Sequence, residues 1–567
     1  MEKQNIIFLE LSEFKEVEKT GLTYINLNLS QSSTIKYNID ILSNELSKCS
    51  EIETLILDLQ GQYLQDPHLM ALFENLPQFI NLSTFQINLI QNNIQKYGAN
   101  ILGQFLRKCQ KLTNIKLDFF FNSADSSVFT ELIEAIGSIK GIQYLEMMFG
   151  NNDTKDDITF HLSKSLCNLS NQLISLVIGL SENQIGFEGG NQIGRALSNQ
   201  QNLKNLELWL YKNQIGDKGV TCIAAGLTNC TQLTSLVFNL YKNGIGDEGS
   251  HQIGLALGKC QNLKELELYL SKNQISDIGL QSIALGLRNC ILVTKVLISF
   301  NENKIGDIGV LAISQALAFY RNILHLELWL QINQISDQGM LGLTQNLKYC
   351  TQLKQLTFNL NENNITDEGY KTLDLCLESL PKLYSLECWF QQQKDILNVL
   401  IYQYLLYVQS NNFSSSEKIL KSKEILSCMN IKVLTLNTSQ SIICSHSYET
   451  SSFQSNFLRS LSINVAFAQK IVFKKLLITH ALFDQIPKLQ YEKSEPFIYK
   501  AQFHNFTGIK SAIIILKNSI FSIKSGFSIN QLICRSTPII KITIYDFQQC
   551  DFFLLMALIP KAKDLRY

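Results

Sequence analysis

An apolar residue opens a new segment of this chain every thirty positions: Leu173, Leu203, Leu233, Leu263, Val293, Ile323, Leu353 and Leu383. The same phase runs backward through Ile142, Leu112, Leu82, Ile52 and Leu22, with one extra residue between Ile142 and Leu173, so thirteen units span residues 22 to 395. Two periodicities follow one another inside each unit. Leu206, Leu208 and Leu210 alternate by two, as in a strand with one buried side. Ile223 and Leu227 are four apart, as on the buried stripe of a short helix. One strand and one helix cannot enclose a core. Stacked copies can, with parallel strands about 4.8 Å apart forming one wall and helices the other.

The residues that punctuate the units have physical roles at their spacings. Asn183, Asn213, Asn243, Asn273, Asn303, Asn333 and Asn363 fall at the strand exits, where an interior amide satisfies backbone groups that the turn leaves unpaired. They are expected to form a buried ladder. Asp217, Asp247, Asp277, Asp307, Asp337 and Asp367 precede the helical pattern, where a carboxylate accepts backbone N–H groups and complements the helix dipole. The glycine two residues later, as at Gly219 and Gly279, lets neighbouring turns or helices approach. Cys109, Cys230, Cys260, Cys290 and Cys350 share a last column suited to small buried thiols.

The complete unit reads LxxLxLxLxxNxIxDxGxxxIxxxLxxC. With NQIGDKG at 213–219 and NNITDEG at 363–369, it resembles leucine-rich repeats of the ribonuclease-inhibitor-like class. The unit departs from the general pattern by one more alternation before the Asn. The resemblance implies an α/β solenoid with a curved parallel sheet inside and helices outside. It also implies protein binding, the commonest activity of that family.

If Leu206, Leu208 and Leu210 enter the core, alternation puts Glu207 and Trp209 on the opposite, concave face. A carboxylate buried unpaired would be very costly, so its recurrence between leucines marks those positions as wet. The Trp209 column reads Trp209, Asn239, Tyr269, Ser299, Trp329, Asn359 and Trp389, and it holds all three tryptophans of the chain. Its neighbour reads Glu207, Val237, Glu267, Leu297, Glu327, Thr357 and Glu387. An acidic-aromatic unit thus alternates with a neutral one, and the larger repeat is sixty residues. Two explanations fit. Rings about 9.6 Å apart and flanked by carboxylates form an anchoring strip for a protein partner, with Glu207, Trp209, Glu267, Tyr269, Glu327, Trp329, Glu387 and Trp389 as its residues. Alternatively, duplication of a two-repeat block copied rings that merely cover the sheet. Asn28, Asp58, Asn88, Asp118 and Met148 hold the same column earlier, so the strip is expected only within 205–390.

Charge and composition narrow the classes of function. Lys+Arg and Asp+Glu both number 49, so no global field favours nucleic acid or an anionic membrane. No stretch approaches the roughly 20 apolar residues of a membrane span. The opening MEKQNIIFLELSEF carries acids in its apolar run, which predicts no signal peptide. The 14 cysteines are scattered without a CxxC pair, which favours free thiols and a cytoplasmic location.

Four features of the chain bear on catalytic or metal chemistry. GLALGKC at 254–260 has one residue too few between its glycines for a phosphate loop, and Cys where Ser or Thr should hold magnesium. His251 and His325 occupy different columns, and Cys444 with His446 is a lone CxH. One carboxylate per repeat caps a helix and does not cage calcium. The expectation is no cofactor, no metal site and no enzyme.

The ends read differently. Residues 1–21 belong to a cap segment, 22–395 to the solenoid, and 396–567 to a divergent region. That region consists of degenerate repeats, a β-rich cap or a separate effector module. As a whole the chain reads as a scaffold or adaptor that engages a protein through its concave face. Regulation of a small GTPase and membership of a large structural assembly stand as alternatives, and oligomeric state is not legible.

Overall fold

A computed structural model describes residues 7–389 apart from 33 and 384, and short strands beyond them. The chain divides into two compact units, Met1–Ile323 and Leu324–Tyr567. In the first, the strands are β1 (Ile7–Phe8), β2 (Tyr24–Asn28), β3 (Thr54–Asp58), β4 (Thr84–Asn88), β5 (Asn114–Asp118) and β6 (Tyr144–Met148). They continue with β7 (Ser175–Gly179), β8 (Asn205–Trp209), β9 (Ser235–Asn239), β10 (Glu265–Tyr269) and β11 (Lys295–Ser299). Each pairs in parallel with the next. The helices are α1 (Leu11–Glu16), α2 (Ile39–Ser47), α3 (Asp66–Phe73), α4 (Lys96–Lys108), α5 (Ser126–Ile136) and α6 (Asp156–Asn168). After them come α7 (Phe187–Leu197), α8 (Gly216–Leu227), α9 (Asp247–Leu257), α10 (Asp277–Leu287) and α11 (Asp307–Leu317).

Strand and helix alternate once per repeat, and both bury their apolar side: Leu206, Leu208 and Leu210 of the strand side and Ile223 and Leu227 of the helix are all fully buried. Strands stack at about 4.8 Å, whereas helices need about 8–10 Å, so the sheet takes the inner side of a curve. Register advances by one repeat at every pairing, with the extra residue falling between β6 and β7, where Tyr144 faces Ser175. The chain absorbs it after α6, where Asn171 takes a positive φ of 57°.

The asparagine ladder forms. At each strand exit the residue before the Asn turns left-handed, as Lys212, Lys242 and Lys272 do at φ of 54–55°; its own N–H still pairs with the next repeat, but the N–H groups that follow turn out of the sheet ladder. Asn273 is buried and closes that gap. Its Nδ2 donates to the carbonyls of Leu240 and Leu270 at 3.0 and 2.9 Å, and its Oδ1 accepts from the N–H groups of Asn243 and Ile245 at 3.0 Å each. Asn213 and Asn243 repeat the arrangement. The ladder also reaches back to Asn122 and Asn152, beyond the column expected from sequence.

The aspartates cap helices, but not their own. Asp217 Oδ1 accepts from Gly246 and Gly249 at 2.7 and 3.1 Å, so a carboxylate at the start of α8 caps α9. Asp247 does the same for α10 and Asp277 for α11. The expectation of a local cap is corrected to a relay from each repeat to the next. The glycine of each turn makes room for it, since a Cβ at Gly249 would lie 2.6 Å from Asp217 Oδ1.

A sixty-residue rhythm also appears among the helices. A Cβ at Gly194 or Gly226 would lie 2.1 Å from a backbone carbonyl of the partner helix across α7 and α8. Gly254 and Gly286 interlock α9 with α10 in the same way. The two-repeat block is therefore a packing unit as well as a sequence unit. Cys230, Cys260 and Cys290 are fully buried free thiols, and burial pushes each up to about 12.

The second unit opens with β12 (His325–Trp329), α12 (Asp337–Leu347), β13 (Gln355–Asn359), α13 (Asp367–Glu378) and β14 (Ser385–Trp389), again with parallel strands. Parallel pairing continues through Leu405–Ser410, Val433–Thr438, Ser460–Asn464 and Lys488–Glu492. The side chains of these later strands, and most of 396–567, lie outside the described residues.

Candidate concave-face site

On β8 the leucines at 206 and 208 are buried, while Glu207 and Trp209 are half-buried on the opposite face. Glu267 and Tyr269 stand likewise on β10. In the second unit Glu327 and Trp329 take the same positions on β12. The strand phase read from sequence holds at all three. Glu387 and Trp389 fall within β14, with side chains outside the described residues.

The acidic and aromatic members of each pair bond to one another. Two residues apart on one strand face, they stand side by side. Trp209 Nε1 donates to Glu207 Oε2 at 2.9 Å, and the Tyr269 hydroxyl donates to Glu267 Oε2 at 2.9 Å. Trp329 Nε1 and Glu327 Oε2 are 3.4 Å apart. Glu267 also holds the ammonium of Lys295 at 2.6 Å. The carboxylates thus fix the rings and tie up their polar hydrogens.

The rings are not evenly spaced as alternation alone suggests. Trp209 and Tyr269 lie on strands separated by β9, yet their centroids are 6.2 Å apart with planes 30° apart. They lean together across the smaller Asn239, which pairs in register with both. Ring contact at that distance is favourable in itself, which explains the lean.

Strand register sets out the free face of the first unit as rows. One row runs Asp58, Asn88, Asp118, Met148, Gly179, Trp209, Asn239, Tyr269 and Ser299. A Cβ at Gly179 would lie 2.5 Å from Met148 Sδ, so the thioether lies flat over the glycine beside Trp209. Phe120 covers Gly150 in the same way, at 2.8 Å from such a Cβ. Phe120, Tyr211 and Tyr241 are half-buried members of the next row out, and Lys272 Nζ lies 5.8 Å from the Tyr241 ring. The apolar surface is therefore wider than the strip expected within 205–390 and begins earlier. The missed signal was simple: alternation by two continues one step past Trp209, to Tyr211 and Tyr241.

The same face is acidic. Among strand residues from β3 to β11 it carries Asp58, Asp118, Glu146, Glu207, Glu265 and Glu267, against Lys116 and Lys295. Lys116 and Glu146 pair at 2.9 Å. Asp118 accepts the Phe120 N–H at 3.0 Å, and burial, reinforced by Glu146 and Asp58, pushes its carboxyl up to about 6.

Segment 254–260 belongs to α9 and the turn after it, with Gly254 packed against the Ser282 carbonyl and Cys260 buried. His251 is exposed on α9 and His325 starts β12. No group of three or more His, Cys, Asp or Glu gathers as metal ligands among the described residues. No helix among them is long and apolar enough to cross a membrane. The pair Cys444 and His446 lies outside the described side chains.

A family described as Leucine Rich repeat matches residues 259–284, nearly one thirty-residue unit. Comparison with curated proteins gives no match. Among solved structures the chain is similar to internalin C2 of Listeria monocytogenes, at 21% identity over 45% of this chain and 83% of that one, with a TM-score of 0.27. It is also similar to a chain of the yeast Rad7 and Elc1 complex, at 15% identity over 66% and 83%, with a TM-score of 0.29. The repeated parallel strand and helix of each unit make a leucine-rich-repeat solenoid, a fold that generally mediates protein–protein interaction.

Proposed function

We propose that the chain is a non-enzymatic scaffold or adaptor of the ribonuclease-inhibitor-like class, acting in the cytoplasm and engaging a protein partner, not nucleic acid or membrane, through the free face of its sheet. The supporting observation is that Trp209 and Tyr269 keep half-exposed rings there, held at a set tilt by Glu207 and Glu267. A ring fixed before binding loses little freedom on contact, and buried aromatic anchors dominate interface energies. Replacing both Trp209 and Tyr269 by alanine tests this. Capture of a partner should fall by about 30-fold or more, matching at least about 2 kcal/mol for anchors of this kind. Thermal unfolding should barely move, and undiminished capture would refute the proposal.

One observation favours the assembly reading as a second role. Leu255, Ile278, Leu285, Ile308 and Phe319 are 51–66% exposed on α9–α11 and the turn after α11, a clustered apolar stretch on the helical side. Native mass by size exclusion should exceed that of one chain if this surface is buried in an assembly, and should return to one chain in Leu285→Glu. For 396–567, parallel strands beginning at 405, 433, 460 and 488 support worn repeats over the other two alternatives.

A further inference from the structure

We infer that the free face of β5–β10 receives a lysine- or arginine-bearing segment of the partner protein, its apolar side chains resting on Met148, Trp209 and Tyr269 and a cation meeting Asp118, beside the Lys116–Glu146 pair. This rests on the concave-face reading above and names the chemistry of the partner that face would take.

Charge complementarity carries the inference. Over the whole chain acids and bases balance at 49 each, yet among the strand residues on this face from β5 to β10 five carboxylates (Asp118, Glu146, Glu207, Glu265 and Glu267) stand against one ammonium group, Lys116. The acids are unequal in what they can offer. Glu207 and Glu267 already hold Trp209, Tyr269 and Lys295. Asp118 is different: it accepts one backbone N–H, has no ion-pair partner, and the cation acting on it, Lys116, is held by Glu146. A desolvated carboxylate without a counter-ion is the group that gains most from an incoming cation.

The geometry fits one segment. Asp118 faces Met148 directly in register, and Trp209 lies two strands beyond Met148. At about 4.8 Å per strand, Asp118 and Trp209 are roughly 14 Å apart, a span of about four extended residues. A cation and an apolar anchor that far apart on one peptide would engage both ends. The face would repel a polyanion, so nucleic acid is the contrary outcome.

The test is selection of a random 15-residue peptide library against the full chain, followed by affinity measurement of the selected peptides by fluorescence anisotropy. The expected result is peptides combining Lys or Arg with Leu, Phe or Trp. Their affinity should fall at least tenfold in Asp118→Asn/Glu146→Gln, and again as pH drops from 7.5 to 5.5. The sign follows from protonation of Asp118, with Glu146, Asp58 and Lys116 as the charged groups around it and Asn88 as its neutral neighbour in register. The variants suit the sheet, because Asn28, Asn88 and Gln86 hold equivalent positions on other strands. Neutral or acidic peptides, no binders, or cationic peptides indifferent to the double variant would overturn the inference. The Trp209→Ala/Tyr269→Ala chain separates the two readings: if it loses neutral peptides, the concave site stands and its cation preference falls. If it loses nothing, both fall.

Discussion

Replacing Asn273 by alanine should cost about 4 kcal/mol, counting roughly 1 kcal/mol for each of the four shorter of its five side-chain hydrogen bonds at a buried site. Those bonds run to the Leu240 and Leu270 carbonyls and from the Asn243 and Ile245 N–H groups, so the loss touches two successive repeats. A repeat stack is held by nearest-neighbour terms, so the damage should stay local. Hydrogen exchange is the suitable assay. The Asn243 and Ile245 amides should exchange up to about a thousand-fold faster, at roughly tenfold per 1.4 kcal/mol, while β2–β4 should be unaffected. Asn262→Ala is the control, since that exposed side chain makes one hydrogen bond to Thr231 and its loss should cost less than about 0.5 kcal/mol. If Asn273→Ala stays within about 1 kcal/mol of the parent and both amides keep their protection, the ladder does not hold the repeats together.

The other predictions follow from buried groups and close approaches. Gly249→Ala should push Asp217 off the α9 N-terminus and cost about 1–3 kcal/mol in urea unfolding, and an unchanged urea midpoint would contradict the relay. Cys230, Cys260, Cys290 and Cys350 should resist thiol reagents at pH 8 in the native chain, while half-exposed Cys167 and Cys222 react; early loss of the buried set would contradict the packing. Because burial raises these thiols to about 12 in the folded state, the stability they confer is fully present below the unfolded thiol value of about 8.5. The urea midpoint should therefore fall as pH rises from 8.5 towards 12, and a flat profile would contradict the burial.

The fold was legible because its signals are local and repeated. Leu206, Leu208 and Leu210 announce a strand face without reference to anything distant, and the sequence phase of Trp209 follows from them. The relay from Asp217 to Gly246 and Gly249 was not legible, because a carboxylate before a helix looks like that helix's own cap; only the stacking brings the following turn within reach. The lean of Trp209 onto Tyr269 was hidden for a related reason. Alternation says which face a ring takes, but the small Asn239 between two large rings decides their tilt. The apolar contribution of Phe120 and Met148 was not legible because their partners are Gly150 and Gly179, whose own contribution is the absence of a side chain.

Hydroxyl-radical footprinting of the full chain, with and without a selected peptide bound, tests the central claim most directly. Met148, Trp209 and Tyr269 should lose reactivity on binding while Leu285 and Phe319 on the helical side keep theirs. Unchanged reactivity at Trp209 and Tyr269, with protection at Leu285 and Phe319 instead, would place the docking surface on the opposite side and contradict the account.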